Sequence, residues 1–278
     1  MTAPSTIPTN SETQALHYII DLIYERSGIR LHDGKDALIR ARLGKRVRHL
    51  GLADLSHYCK FLQSGKNDEE LVSVVDALTT NFTSFLREES HFKFLVEEAL
   101  PSVLTSGEKK IRLWSAACSS GEEPYSIAFY LAEHFPLTAG WDWHITASDI
   151  SLRVLEKARM GVYSEERVCG LPTEWLHRYF QKGFGNSTGN YRVKTSLSQR
   201  VDFSQINLVK SYTHPTSFHV IFCRKVMIYF DRPTQERLIQ QLSRYLLPGG
   251  YLVIGHSESL NGLDVPLHCL RPSIYHRT

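Results

Sequence analysis

Three short stretches of this 278-residue chain place small, acidic and basic residues where apolar runs end. The first is Ser115-Ala116-Ala117-Cys118-Ser119-Ser120-Gly121-Glu122-Glu123. Small side chains let the backbone approach a ligand closely, and a helix start follows. The string lacks the G-x-G-x-x-G spacing of a dinucleotide site, and its two carboxylates would repel a pyrophosphate. A cationic or neutral ligand, such as a sulfonium-bearing nucleoside, fits better. The same acids also suit a helix opened by dipole-compensating glutamates. The second stretch ends at Asp149. An acid at a strand tip accepts hydrogen bonds from the ribose hydroxyls of a nucleoside. It would equally cap the next helix, a task open to Ser151. In the third, Arg224-Lys225 follow an apolar strand, either lining a cleft or capping a helix, and Tyr229 suits a core as well as a site. Asn81, Thr83 and Arg87 form a further polar interruption among apolar neighbours. There, Thr83 or Ser84 capping a helix is the plainer alternative.

Such tips need a scaffold. From residue 111 onward, strand patterns at 111–116, 144–149, 201–206, 218–223 and 251–255 alternate with helical ones at 123–134, 151–158 and 233–246. This predicts an α/β domain with a parallel sheet covered on both faces. Residues 267–270 and 273–276 are expected to add an antiparallel edge. Between 161 and 200 the alternation breaks into a stretch holding Gly183, Gly185 and Gly189, followed by Tyr191-Arg192-Val193-Lys194. A small β-rich insertion is expected there. Before about residue 95 the period is helical. Leu16-Ile19-Ile20-Ile23, Ile39-Leu43-Val47-Leu50, Leu52-Leu55-Cys59-Leu62 and Leu71-Val74-Val75-Leu78 each mark one helical face. A small helical bundle follows, preceded by a disordered tail over residues 1–11.

Hydrophobic residues at 42% and charged residues at 22% exclude a disordered, collagen-like or rod-like chain. No apolar run approaches the ~18 residues of a membrane span, and the first basic residue, Arg26, comes too late for a secretory leader. Five scattered cysteines without a C-x-x-C pair argue for a reducing cytoplasm and against a structural zinc site. The net charge is +3, but residues 26–48 hold eight Lys or Arg against two Asp, a local +6 in a chain otherwise at −3. Arg42, Lys45, Arg46 and His49 share one helical face, with Arg48 beside it. A local acidic partner is expected, although a solvated helix face has the same look.

Read in order, Thr79-Thr80-Asn81-Phe82-Thr83, Phe85-Leu86-Arg87-Glu88, Trp114-Ser115-Ala116-Ala117, Gly121-Glu122-Glu123-Pro124-Tyr125-Ser126, Ala147-Ser148-Asp149-Ile150, Phe222-Cys223-Arg224, Val226-Met227-Ile228-Tyr229-Phe230 and Gly255-His256-Ser257-Glu258 resemble the bacterial chemotaxis receptor methyltransferases of the CheR type. The resemblance implies a Rossmann-like methyltransferase domain over residues 91–278, with residues 161–200 as an inserted β-subdomain. An N-terminal helical substrate-recognition domain over residues 12–90 would precede it. It implies methyl transfer from S-adenosylmethionine, leaving S-adenosylhomocysteine, to glutamate carboxylates of chemotaxis receptors, without a metal.

Family cofactor contacts match Asn81, Thr83, Arg87, Glu123, Asp149, Asn207, Leu208, Arg224 and Lys225, and Arg87 and Tyr229 would lie near the reacting groups. The family commonly has Asn at Lys225. A lysine supplies no acceptor, so a backbone contact is what can survive there. Cytoplasmic receptor helices would lie along Arg42, Lys45, Arg46 and Arg48. The loop of Gly183, Gly185 and Gly189 is similar to that of members that dock the C-terminal pentapeptide of some receptors. A cytoplasmic monomer, with no nucleic-acid partner and no membrane insertion, is expected. One alternative is a nucleic-acid methyltransferase using the basic stripe on phosphates, although no Asn/Asp-Pro-Pro-Tyr string is present. Another is a catalytically silent receptor-binding adaptor, which Lys225 would favour.

Overall fold

In the computed structural model, which describes residues 10–30, 36–64, 68–78, 82–104 and 107–278, the chain divides into two units. One is Met1–Thr80 with Tyr229–Asp231, the other Asn81–Ile228 with Arg232–Thr278. The expected tail over residues 1–11 lies almost wholly outside the described residues.

The first unit holds α1 (Asn10–Ser27), α2 (Asp36–His49), α3 (Leu55–Gln63) and α4 (Asp68–Leu78). Leu16, Ile19, Ile23, Ile39, Leu43, Val47, Leu62, Val74 and Val75 from the apolar stripes are buried. Helix α3 starts later than its stripe suggests, because the Asp54 side chain accepts the His57 N–H at 2.9 Å and caps it. Glu70 is buried and needs partners. Arg46 binds it at 3.0 and 2.5 Å, and the Tyr58 hydroxyl donates to it at 2.5 Å. Arg42 donates to the Leu78 carbonyl at 3.0 Å. The outward basic stripe expected on α2 is therefore corrected for Arg46, which a buried carboxylate holds inward. Lys45, Arg48 and His49 are exposed. The Tyr229 carbonyl accepts the Arg30 N–H at 2.8 Å in this unit.

The second unit opens with α5 (Ser90–Phe94), a π turn (Leu95–Ala99) and α6 (Leu100–Val103). Then come β1 (Lys110–Ala116), α7 (Glu122–His134), β2 (Asp142–Asp149) and α8 (Leu152–Met160). An insertion holds β3 (Val162–Ser164), α9 (Glu165–Val168), α10 (Thr173–Tyr179), β4 (Phe180–Lys182), β5 (Asn190–Val193) and α11 (Thr195–Ser198). The chain closes with β6 (Val201–Gln205), β7 (Phe218–Cys223), α12 (Arg232–Tyr245), β8 (Leu246–Ile254), β9 (His268–Arg271) and β10 (Ile274–His276). The main sheet runs β6-β2-β1-β7-β8-β10-β9, with β3-β5-β4 as a separate antiparallel sheet. Strands β6, β2, β1, β7 and β8 are mutually parallel, and β10 and β9 form the antiparallel edge. Every residue of β7 is buried, as a central parallel strand requires.

The strand order reverses between β1 and β7, so their carboxyl tips flank a switch point. Ala116 pairs with Cys223 on one side and with Ser148 on the other, which brings three strand ends together. Residues 82–90, expected with the helical domain, belong instead to this second unit. Phe85 meets Tyr163 edge-on at 4.8 Å, and the Leu86 N–H donates to Ser126 Oγ at 3.0 Å. Pro248, Gly249 and Gly250, between the expected helix at 233–246 and the expected strand at 251–255, are part of β8, whose register against β7 shifts between Phe218 and Val220.

Glu70→Ala should lower stability by about 2 kcal/mol, because it strips Arg46 and Tyr58 of a charged hydrogen-bond partner. Urea unfolding followed by circular dichroism reads this; a loss below about 0.5 kcal/mol, the level of an ordinary surface change, would contradict it.

Candidate active site

The β1–α7 loop folds onto the tip of β2. The Cys118 N–H donates to the Ser148 carbonyl at 2.8 Å, and the Ser119 N–H to Asp149 Oδ2 at 2.8 Å. The Ser151 N–H takes Asp149 Oδ1 at 3.0 Å, while the Ser151 hydroxyl caps α8 through the Val154 N–H at 3.3 Å. Ser151 thus takes the capping task, and Asp149 is fixed by two amides. Gly121 stands at φ 96, and a Cβ there would lie 2.8 Å from the Tyr163 hydroxyl and 2.9 Å from the Ala158 Cβ. Only glycine lets the loop pass this close to α8. Since the amides of Cys118 and Ser119 are spent on β2, they do not form a phosphate nest.

Arg224, just past β7, is only 6% exposed. Its guanidinium reaches Glu88 Oε2 at 2.9 Å and Glu123 Oε2 at 3.2 Å, and donates to the Arg87 carbonyl. Glu123 also accepts from Ser115 Oγ at 2.7 Å. Burial pushes the Glu123 carboxyl above its ordinary range, with Arg224 and Ser115 pulling it back. Glu88 is different: burial would raise it, but Lys225 and Arg224 outweigh burial and bring its pKa down to about 2. Lys225 Nζ lies 2.8 Å from Glu88 Oε1 and 3.0 Å from Ser257 Oγ. Glu258 takes the backbone N–H of Lys225 at 2.8 Å, of Gly255 at 2.7 Å and of Met227 at 2.9 Å, pinning the loop after β7 to the end of β8.

Glu122 is fully buried, paired with Arg167 at 2.6 Å and with Ser120 Oγ at 2.7 Å. Arg167 also donates to the Thr83 carbonyl at 3.1 Å. Beyond β6, the Ile206 N–H donates to the Asp149 carbonyl at 3.1 Å, and Asn207 Oδ1 accepts the Val209 N–H at 3.2 Å; Leu208 is buried. Arg87 donates to the Phe82 carbonyl at 2.9 Å, with its guanidinium 5.4 Å from the centre of the Phe82 ring. Among the sequence candidates, Glu123 and Arg224 are thus bonded to one another. Asp149 is bonded to Ile206, the residue before Asn207, at the β6 exit, and Lys225 and Arg87 join through Glu88 and Arg224. Asn81 lies outside the described residues, and Tyr229 groups with the helical unit.

Glu88, Glu122 and Glu258 stand inside the motif strings, and Arg167 in none; the sequence assigns these four no pairing because Glu88 meets Arg224, Glu122 meets Arg167 and Glu258 meets Lys225 from far along the chain. Glu88, His91 and His256 bring ligand atoms within 4.8 Å of one another. Both Glu88 oxygens already serve Arg224 and Lys225, whose charges oppose a further cation. Burial, with nearby acids, pushes the Cys118 thiol well up, so it is no thiolate nucleophile. What remains is a carboxylate-bearing cleft at a switch point, which fits a nucleoside carrying a positive charge better than a diphosphate.

Comparisons with known proteins agree in both units. Residues 81–274 match the SAM-binding domain of CheR methyltransferases, and residues 14–79 match their all-alpha domain. The chain is 45% identical over 247 residues to a chemotaxis protein methyltransferase of Escherichia coli (strain K12), covering 88% of this chain and 84% of that one. It is 36% identical over 272 residues to a chemotaxis protein methyltransferase of Borreliella burgdorferi, covering 96% and 95%. It is 39% identical over 266 residues to chemotaxis protein methyltransferase 2 of Pseudomonas aeruginosa, covering 92% and 91%.

Because its folded pKa is depressed, Glu88 contributes stability that is fully present above its unfolded value of about 4.3 and is lost as pH falls toward about 2. Urea titrations at stepped pH should show the gap between wild type and Glu88→Gln constant above about pH 5.5 and closing below about 4. A gap that does not narrow in acid would contradict this charge assignment.

Proposed function

The chain belongs to the CheR methyltransferase family, and from that premise we propose that it methylates glutamate side chains of chemotaxis receptors in the cytoplasm, forming methyl esters. The observation that carries the reading is the strand-tip cleft, where Asp149 and Glu123 present carboxylates and Arg224 is buried between Glu88 and Glu123. Asp149 would hold the ribose hydroxyls of S-adenosylmethionine. Thr83, Arg87, Glu123, Asn207, Leu208, Arg224, the Lys225 backbone and Asn81 would complete its contacts. When bound, the cofactor supplies a methyl on sulfonium sulfur, which leaves with the C–S electron pair as a carboxylate oxygen takes the methyl.

A glutamate with a pKa near ~4.3 is already a nucleophile at neutral pH, so no general base is needed. The protein's task is in-line placement, worth about 7–11 kcal/mol in well-oriented systems, together with removal of water from the anion. Arg87 would leave Phe82 and orient the carboxylate, and Tyr229 is assigned an orienting role by its match to the family residue. A tight bidentate pairing would blunt the nucleophile, so orientation is the role we assign to Arg87. An acidic receptor helix would meet Lys45 and Arg48, with Arg42 and Arg46 braced beneath. Exposed pairs of about 0–1 kcal/mol each would set encounter and register more than tight binding.

The insertion offers a second contact. Strand β4 is an edge of its sheet, and Phe184, just beyond it, is 80% exposed. A receptor's C-terminal pentapeptide could add there as a strand. Gly183 has its own reason to be glycine: a Cβ would lie 2.1 Å from the Ser187 carbonyl oxygen. The chain would act as a monomer. Among the described residues no helix is long and apolar enough to cross a membrane.

Receptor cytoplasmic fragments, labelled cofactor and release of methanol in mild alkali test the reaction; label stable to alkali, or transferred to RNA or DNA, would contradict it. Arg87→Ala should lower turnover by about 100-fold or more, as loss of a positioned donor does, with circular dichroism unchanged. Near-normal turnover would remove Arg87 from the mechanism. Raising salt should weaken receptor methylation more than cofactor binding, and equal sensitivity would count against the basic face of α2.

A further inference from the structure

The cations of the cleft converge on Glu88. Its Oε2 takes Arg224 at 2.9 Å, while its Oε1 takes Lys225 at 2.8 Å and the His256 backbone N–H at 3.2 Å. The side chain is 12% exposed, and the backbone is held at φ 56. Through Arg224 it is one step from Glu123. Lys225 is out of place in this setting. It stands at φ 58, a left-handed conformation uncommon for a long side chain. Its ammonium also adds a like charge next to a site for a cationic ligand. Uncompensated, that charge would oppose binding of a sulfonium. Glu88 lies where the compensation is required.

We propose that Glu88 is a positioning residue that neutralises Lys225 and Arg224, keeping the cleft open to a positively charged methyl donor. This rests on the placement of the cofactor at the strand tips proposed above. Donor and demethylated product differ by one methyl and one positive charge. Contacts shared by both cannot separate them, whereas the net charge of the surrounding set can. Without the Glu88 charge, Arg224 keeps Glu123 and the Lys225 ammonium keeps the uncharged Ser257 hydroxyl, so the charge of the set rises by one. A role limited to tying loops together would weaken both ligands alike.

The test is the ratio of two dissociation constants on the full chain, measured by calorimetry with S-adenosylmethionine and, separately, S-adenosylhomocysteine. Glu88→Gln should raise the donor-to-product ratio about tenfold, the size of a unit-charge change acting over about 12 Å through an effective dielectric of about 20. Lys225→Asn removes the opposing charge and relieves the left-handed backbone; it should lower the ratio. The double variant should bring it back toward wild type. Equal weakening of both ligands in Glu88→Gln, or no change in ratio, overturns the proposal. If Glu88→Gln does not fold, an unchanged ratio in Lys225→Asn overturns it. An Asp149→Ala variant that binds both ligands as wild type does would instead bring down the placement of the cofactor, and this inference with it.

Discussion

A buried guanidinium organises the methyltransferase unit. Arg224 follows a fully buried strand, and a desolvated charge there is tolerable only if nearly every donor is met. Glu88, Glu123 and the Arg87 carbonyl meet them, and the Phe92 ring lies 5.4 Å from the guanidinium carbon. Three pieces of chain are locked by this group: the segment before α5, the start of α7 and the exit of β7. Removing one partner from such a pair typically costs about 3–5 kcal/mol, because the other charge is left buried. The geometry of the cleft is therefore set by charge pairing as much as by packing.

Backbone strain gathers at the same place. Among the described residues, the non-glycine positions with left-handed φ are Leu86, Glu88, Ala117, Ser119, Lys225 and Ser273. All but Ser273 lie in the loops that form the cleft. Strained backbone persists where surrounding bonds over-determine it, and such bonds are present here. Ser119 is held by Asp149, Glu88 by two cations, and Lys225 by the carboxylate of Glu258. The apolar sheet beneath, with Leu113, Trp114, Val220 and Phe222 buried, makes that over-determination possible.

Much of this was legible in the residues. Strand β7 could be read to its ends because a central parallel strand is apolar throughout, and Asp149 stood out because an acid closing an apolar run is unusual. The apolar stripes of the helical unit became its core for the same reason of period. What failed to show depended on partners distant in sequence. Glu88 looks like one more charge after Arg87, and its meaning comes from Arg224, 136 residues away. Arg46 reads as part of a solvated stripe until Glu70 is seen buried beside it. Residues 82–89 follow a helical stretch in the sequence, whereas the Phe85 ring packs on Phe129, Tyr163 and Phe180 of the α/β unit. Pro248-Gly249-Gly250 reads as a turn, but the Gly249 N–H and the Gly250 carbonyl pair with Arg277, and the register of β8 against β7 shifts across these residues.

The central claim is that the strand-tip cleft is where the methyl donor binds. A crystal structure with S-adenosylhomocysteine measures this directly. The nucleoside should lie against Asp149, with the remainder of the molecule beside Glu123 and Arg224. Density for the ligand away from these residues, with the loop after β1 empty, would contradict it.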